Sequence, residues 1–209
     1  MVRFNDRDPR RPGPARALLA RRRGAWVAWQ FPAAPESRVS LAEVLLPEFD
    51  EEMASTRRLL SCVPDGKTTW QPHEKSMSLG RLATHVAELA GRAPEILTKD
   101  EWDPRPPGVP VQPRVLDSRA GILELFDKGA KVARQALAAA SDADFARTWV
   151  MKRGGTPVYT GTRFNAYRRI AMNHLVHHRA QLGVFLRLNG VPIPGMYGPS
   201  ADDTLATVK

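Results

Sequence analysis

The segment T-R-F-N-A-Y-R-R-I-A-M-N-H-L-V-H-H-R-A-Q-L-G-V-F-L-R-L-N, residues 162–189, decides the fold predicted for this chain. Its first residue, Thr162, is of a type that caps helix N-termini, and the Gly190 and Pro192 that follow it are typical of a helix end. Its apolar residues recur at intervals of three and four, as one buried helix face requires. The segment therefore predicts one long amphipathic helix that ends at Asn189.

Two histidines lie on the apolar face of this predicted helix. At about 100° of rotation per residue, His178 falls about 40° from His174, among core residues, whereas His177 falls about 60° to the other side, at the edge of the face. Burying an imidazole without a partner costs about 1–3 kcal/mol. A shared metal ion would give both inward rings a partner. The alternative is a pair of core histidines satisfied by other polar groups.

A third histidine lies far upstream. His85 belongs to a helix predicted to begin after the cap residue Ser78 and to run to about Leu97. It falls on the flank of the apolar stripe of that helix, and Glu88 falls further out. The spacing alone does not fix which helices adjoin, so the residues leave open whether His85 joins the other two.

The rest of the chain predicts two further amphipathic helices, one from Leu41 to the turn Pro64-Asp65-Gly66 and one from Asp117 or Ser118 to near Ser141. Residues 98–116 carry five prolines and predict a long surface loop. Residues 147–160, around Gly154-Gly155, predict a small β-hairpin before the last helix. Four long helices with one small β insertion indicate an all-α protein with a four-helix bundle.

Residues 1–40 differ in composition from the remainder. They hold nine arginines, three acidic residues and five prolines, and lack helical or strand periodicity. We therefore predict a disordered Arg/Pro-rich tail, residues 1–40, before a helical domain, residues 41–209. Most of the net charge of +9 lies in the tail, while the domain is nearly balanced. Nucleic acid is thus not an expected partner, except for weak, non-specific binding through the tail.

Other features exclude several classes of protein. The single cysteine, Cys62, excludes an internal disulfide and fits a reducing cytoplasm. No apolar run approaches the ~18 residues that a membrane span needs, and no secretory signal is recognisable. No serine–histidine–aspartate pattern or Gly-rich phosphate loop is visible. We therefore expect a cytoplasmic protein that does not bind membranes.

Four segments together resemble a known family. They are L-L-P-E-F-D-E-E-M-A-S-T-R-R-L-L (45–60), W-Q-P-H-E-K-S-M-S-L-G-R-L-A-T-H-V-A-E-L (70–89), N-H-L-V-H-H-R-A-Q-L-G-V-F-L-R (173–187) and P-G-M-Y-G-P-S-A-D (194–202). Their order and combination resemble the DinB (DinB/YfiT-like) family of metalloenzymes from about Leu41 to Asp203. The resemblance implies a four-helix bundle of the DinB type that is often a homodimer.

The resemblance also implies a metal site. In the family, one histidine of the second helix and two from an H-x-x-x-H in the last helix hold a divalent ion, zinc or nickel, and these positions match His85, His174 and His178. Characterised relatives include transferases and isomerases that use low-molecular-weight thiols such as bacillithiol, mycothiol or glutathione. The expected function is therefore a thiol S-transferase in which a metal-activated thiol attacks an electrophilic small molecule. The alternatives are a hydrolase that uses metal-bound water and a non-enzymatic metal-binding stress-response protein.

Further residues could assist such a site. Four side chains could form hydrogen bonds to the imidazoles or to a substrate, namely Glu88, Asn173, His177 and Gln181. The alternative is that these side chains are structural or solvated and have no role at the site. Trp70 and Tyr197 could line the mouth of a pocket. The alternative for these two aromatic residues, and the one that the sequence favours, is packing of the connector and the C-terminal segment onto the helices.

Overall fold

The computed structural model describes residues 39–203. All but the last two residues of the predicted tail lie outside this range, and the domain boundary stays a prediction. The helices are α1 (Leu41–Leu60), α2 (Leu79–Ala90), α3 (Ala93–Leu97), α4 (Arg119–Ala139), α5 (Asp142–Ala146), α6 (Arg163–Ala166) and α7 (Asn173–Leu188). A π-helical segment, Tyr167–Met172, joins α6 to α7. The strands are β1 (Glu101–Trp102), β2 (Thr148–Arg153) and β3 (Thr156–Thr162).

Side-chain caps begin the helices where the sequence predicts. The hydroxyls of Ser78, Ser118 and Thr162 each accept a hydrogen bond from the backbone N–H three residues on. Each cap satisfies one of the N–H groups that the first turn leaves without a partner. At the other end of α7, Gly190 adopts a φ of 70°, the left-handed conformation that ends many helices. The predicted ends of the last helix are therefore confirmed.

The second predicted helix is shorter than expected. It was predicted to run to about Leu97, but α2 ends at Ala90 and a separate short helix, α3, follows. Pro94 lacks the N–H that would bond to the Ala90 carbonyl, so it cannot continue α2. Gly91, the C-cap residue of α2, also contacts Gly129 of α4 backbone to backbone.

The β insertion contains more than the predicted hairpin. β2 and β3 pair antiparallel around Gly154 and Gly155, whose φ angles of 62° and 79° suit a tight turn, so the hairpin is confirmed. Two residues of the predicted loop 98–116 form β1, which pairs parallel with β2. Another short helix, α5, follows α4, and Ser141 caps it.

The long helices share one apolar core. α4 packs against α1 and α2, and α2 packs in turn against α7. Nearly inaccessible residues from all four fill the interface, among them Leu60, Val86, Ile122 and Leu182. The chain is therefore predominantly helical with a small three-stranded sheet. The specific expectation of a DinB-type four-helix bundle stays a prediction. No helix of residues 39–203 has the length and apolar character needed to cross a membrane.

Candidate metal centre

Three histidines meet where α2 packs against α7. His85 comes from α2, and His174 and His178 come from successive turns of α7. One nitrogen from each ring lies within 4.8 Å of the other two. The Nε2 atoms of His174 and His178 are 3.0 Å apart, and the ring of His85 packs edge-on against both. The structure thus brings together the three residues that the sequence singled out.

The turn before α7 is not α-helical. In the π-helical segment the backbone N–H of Asn173 donates to the carbonyl of Arg168, five residues earlier. His174 is the second residue of α7 and lies directly after this segment. Single π-helical turns inside α-helices occur frequently at functional sites. This irregular turn therefore directly precedes two of the three rings.

A hydrogen bond on the outer side of the His178 ring fixes which of its nitrogens faces the cluster. His178 Nδ1 lies 2.7 Å from Oε1 of Gln181, an oxygen that can only accept, so Nδ1 carries the proton. A neutral imidazole has one N–H, so Nε2 of His178 presents a lone pair towards Nε2 of His174 across 3.0 Å. A lone pair directed into a cluster of three imidazole nitrogens can be given to a cation, and this donor set therefore fits a metal ion.

His85 is oriented by charged neighbours. Its Nδ1 lies 3.4 Å from Nη2 of Arg81 and 3.5 Å from Oε2 of Glu88, which leaves Nε2 available as a ligand. Glu88 in turn accepts two hydrogen bonds of 3.1 Å from Arg81. Burial raises the pKa of Glu88, but the hydrogen bond from His85 and the charge of Arg81 outweigh burial, and the net shift is downward. The carboxylate is therefore ionised at neutral pH.

The rings of α7 favour the neutral form. Burial, followed by the charge of His85, lowers the pKa of His174 below its ordinary value. Burial is also the main cause that lowers the pKa of His178 to about 4. Only a neutral imidazole has a lone pair to give to a metal. Both rings are therefore in the ligating form throughout the physiological pH range.

Two cavities of different character flank the cluster. The larger, about 680 Å³, is lined by His85 and His174 together with many charged side chains. The smaller, about 390 Å³, is lined by His178 and Gln181 and by mostly apolar residues such as Phe185. The three rings thus separate a polar space from a largely apolar one.

The other sequence candidates fall into two groups. Gln181 and Glu88 contact the histidine rings, as described. Asn173 and His177 are exposed, and His177 only packs its ring edge-on against His178, with centroids 4.8 Å apart. His177 therefore lies outside the cluster, in agreement with its place at the edge of the helix face.

Neither aromatic candidate lines these two cavities. Trp70 packs edge-on against Phe185, with ring centroids 5.5 Å apart. The hydroxyl of Tyr197 contacts Arg179 at 2.6 Å and donates to Glu52 at 2.7 Å. Both residues therefore join the connector and the C-terminal segment to the helices, which is the packing role that the sequence favoured.

The sequence analysis did not identify the charged residues of the larger cavity. Arg81, Arg92 and Arg169 come from different elements and line the space beside His85 and His174. Their spacing along the chain gives no pattern, because tertiary packing brings them together. The signal that could have pointed to Arg81 is its place four residues before His85, on the same helix face.

Comparisons with known proteins agree with this geometry. The sequence matches the family model of the DinB superfamily over residues 48–182 and that of the DinB family over residues 169–205. No curated protein matches it. The first match extends from α1 into α7 and so includes all three histidines.

Two crystal structures resemble the fold. A DinB-like protein from Bacillus cereus is 21% identical, with a TM-score of 0.55 over 76% of this chain and 99% of the other. A DinB-like protein from Bacillus subtilis is 19% identical, with a TM-score of 0.55 over 73% of this chain and 96% of the other. Identities this low establish a likeness of fold alone.

Proposed function

Since the chain belongs to the DinB superfamily, we propose that it is a divalent-metal-dependent enzyme of the thiol S-transferase type, with zinc or nickel held by His85, His174 and His178. A cation bound there would lower the pKa of a thiol at its open position, so that the thiolate could attack an electrophile at neutral pH. The convergence of three imidazole nitrogens within 4.8 Å of one another carries the proposal.

The protein's own residues would orient and shield the site. Gln181 holds the His178 ring with Nε2 directed inward, and Glu88 is placed to hold His85. Such outer hydrogen bonds fix the tautomer and the direction of a ligand ring. The two cavities offer separate places for two reactants, as a transfer between a thiol and an electrophile requires.

Metal content is the first test. We expect protein produced without a histidine tag and without chelators to contain about one zinc or nickel ion per chain by elemental analysis. His174→Ala removes one imidazole of the cluster and should lower the metal content sharply. His177→Ala removes an exposed histidine of the same helix and should leave it unchanged. Protein without metal, or an equal loss in both variants, would contradict the proposed site.

Activity is the second test. We expect the metal-loaded protein to conjugate bacillithiol, mycothiol or glutathione to 1-chloro-2,4-dinitrobenzene, and His174→Ala to abolish the reaction. Metal-dependent hydrolysis of p-nitrophenyl acetate in the absence of thiol, without conjugation, would favour the hydrolase. Metal binding without either activity would favour a non-enzymatic metal-binding stress-response protein.

The remaining expectations concern assembly and location. We propose that residues 41–209 form a DinB-type four-helix bundle that assembles as a homodimer in the cytoplasm. Light scattering during gel filtration should then give twice the chain mass of 23.2 kDa. Any DNA binding should be weak and should decrease with salt concentration. If it disappears when residues 1–40 are deleted, the tail is responsible for it.

A further inference from the structure

The larger cavity beside the histidine cluster is rich in arginine. Six of its lining residues are arginines, namely Arg81, Arg92, Arg105, Arg114, Arg153 and Arg169, whereas two are acidic. They come from α2 and its C-terminal end, the loop 98–116, β2 and the π-helical segment. Separate parts of the chain thus supply positive charge to one space.

These arginines differ from those elsewhere in the protein. Residues 39–203 contain 15 arginines, and nine of them form ion pairs within this range. Five of the other six line the cavity, and the sixth is Arg58 on α1. The guanidinium groups without an ion-pair partner in residues 39–203 are therefore concentrated beside the histidine cluster.

The two acidic residues of the cavity are already engaged by the protein. Glu88 accepts hydrogen bonds from Arg81. Asp103 accepts hydrogen bonds from the backbone N–H groups of Arg105, at 2.8 Å, and Gly155, at 2.7 Å. Neither carboxylate forms an ion pair with the other five arginines. The cavity wall therefore keeps an excess of positive charge.

Two of these arginines are stacked on aromatic rings. The guanidinium carbon of Arg92 lies 4.1 Å from the ring centroid of Trp102, and that of Arg169 lies 5.5 Å from the centroid of Tyr159. Stacking occupies the face of a guanidinium and leaves the N–H groups at its edge free. A planar fork of N–H donors matches the paired oxygens of a carboxylate or a phosphate.

We propose that this cavity binds a small molecule with at least two acidic groups, carboxylates or phosphates, and holds it beside His85 and His174. Its volume of about 680 Å³ suits a metabolite-sized ligand. One acidic group would not occupy guanidinium groups from so many elements, whereas two or more would. The inference rests on the proposed function, because it assigns a chemical class to one reactant of that site.

Calorimetric titration of the full chain with three probes tests the proposal. Succinate carries two carboxylates, pyrophosphate carries phosphates, and succinamide has the shape of succinate without its charge. We expect at least one dianion to bind and succinamide not to bind.

Arg92→Gln and Arg169→Gln should each weaken the binding about tenfold. Arg58→Gln removes the arginine outside the cavity that has no ion-pair partner within residues 39–203, and it should leave the affinity unchanged. Thermal unfolding of each variant reports whether it is folded.

The outcomes separate this proposal from the proposed function. Preference for succinate or for pyrophosphate would identify the acidic group, and either result supports the proposal. Any of three results would overturn it. Neither dianion binds, or succinamide binds as tightly as succinate, or the folded Arg92→Gln and Arg169→Gln variants bind the dianion with wild-type affinity. Because the titration needs no bound metal, repeating it with His174→Ala separates the two sites. Retained dianion binding in that variant without metal or activity would support the anion cavity even if the thiol-transfer function failed.

Discussion

Gln181 Oε1 lies 2.7 Å from Nδ1 of His178, on the side of the ring away from the cluster. The contact spans three residues of α7, so one turn of helix supplies both an imidazole and the acceptor that fixes its tautomer. The tautomer with the proton on Nδ1 leaves Nε2 as the lone-pair nitrogen. The same nitrogen faces Nε2 of His174 at 3.0 Å. Gln181 would therefore act on a metal ion held by these rings without being a ligand.

The first prediction concerns this glutamine. Gln181→Leu removes the acceptor, so the proton of His178 can move to Nε2 and the ring can rotate. We expect metal affinity to fall about 10–100-fold, measured by competition with a chromophoric zinc chelator. Gln181→Glu keeps an acceptor at the same position and should retain the wild-type affinity within a few-fold. Wild-type affinity in the leucine variant would show that this hydrogen bond has no part in metal binding.

Local sequence rules predicted most of the helical structure. Thr162 and Gly190 marked the ends of the last helix because capping depends on neighbouring residues only. The projection that separated His174 and His178 from His177 also needed only the helical period. These features were predictable because they depend on one segment at a time.

Other features depend on contacts between distant segments. β1 is two residues long and exists because it pairs with β2, so no local pattern indicated it. The π-helical segment contains ordinary helix-forming residues, and its shifted hydrogen bonds are not visible in the sequence. The helix projection placed His85 on a flank, and only the packing of α2 against α7 brings it to the other two histidines. The arginine-lined cavity likewise forms from four parts of the chain.

The second prediction concerns the contact between α2 and α4. A Cβ atom added to Gly129 would lie 3.0 Å from the backbone nitrogen of Gly91 and 3.1 Å from its Cα atom, and the backbone cannot yield as a side chain does. Overpacking of this kind costs about 1–3 kcal/mol, and the helix preference of alanine over glycine offsets about 1 kcal/mol of that cost. We therefore expect Gly129→Ala to lower the free energy of unfolding by up to about 2 kcal/mol, measured by urea denaturation.

A second helical glycine provides the control for this substitution. A Cβ atom added to Gly183 of α7 would meet only Ile193 Cδ1 at 3.9 Å, an ordinary contact. Because alanine favours a helix over glycine by about 1 kcal/mol, Gly183→Ala should leave stability unchanged or raise it. If Gly129→Ala also raised stability, the close approach of Gly91 and Gly129 would not limit side-chain size.

The third prediction concerns a buried ion pair between α7 and α1. Arg179 is 2% exposed, and its Nη1 lies 2.6 Å from Oε2 of Glu52. Nη2 of Arg179 donates to the hydroxyl of Tyr197 at 2.6 Å. Arg179→Leu would leave the shielded Glu52 carboxylate without its cation, and we expect a loss of about 3–5 kcal/mol in the free energy of unfolding.

An exposed arginine of the same helix is the matched control. Arg187 lies 2.6 Å from Asp202, but 43% of its side chain is exposed. Exposed ion pairs contribute about 0–1 kcal/mol, so Arg187→Leu should change stability by no more than that. Equal losses in the two leucine variants would show that burial does not strengthen the Arg179 contact.

The fourth prediction concerns the pH dependence of stability in the metal-free protein. In the folded chain burial lowers the pKa of His178 to about 4, whereas an unfolded histidine titrates near ~6.5. The unfolded state therefore binds more protons between these values, and stability decreases as the pH decreases through this window. The contribution of His178 is complete above about pH 6.5 and is lost as the pH falls towards 4.

Urea unfolding between pH 7.5 and 5, where carboxylates hardly titrate, should show this decline in stability. His178→Gln removes one titrating ring and should reduce the slope, while His174, whose pKa burial also lowers, keeps the remainder. His73→Gln, at an exposed position, should retain the full slope. An unchanged slope in His178→Gln would mean that other groups cause the acid sensitivity.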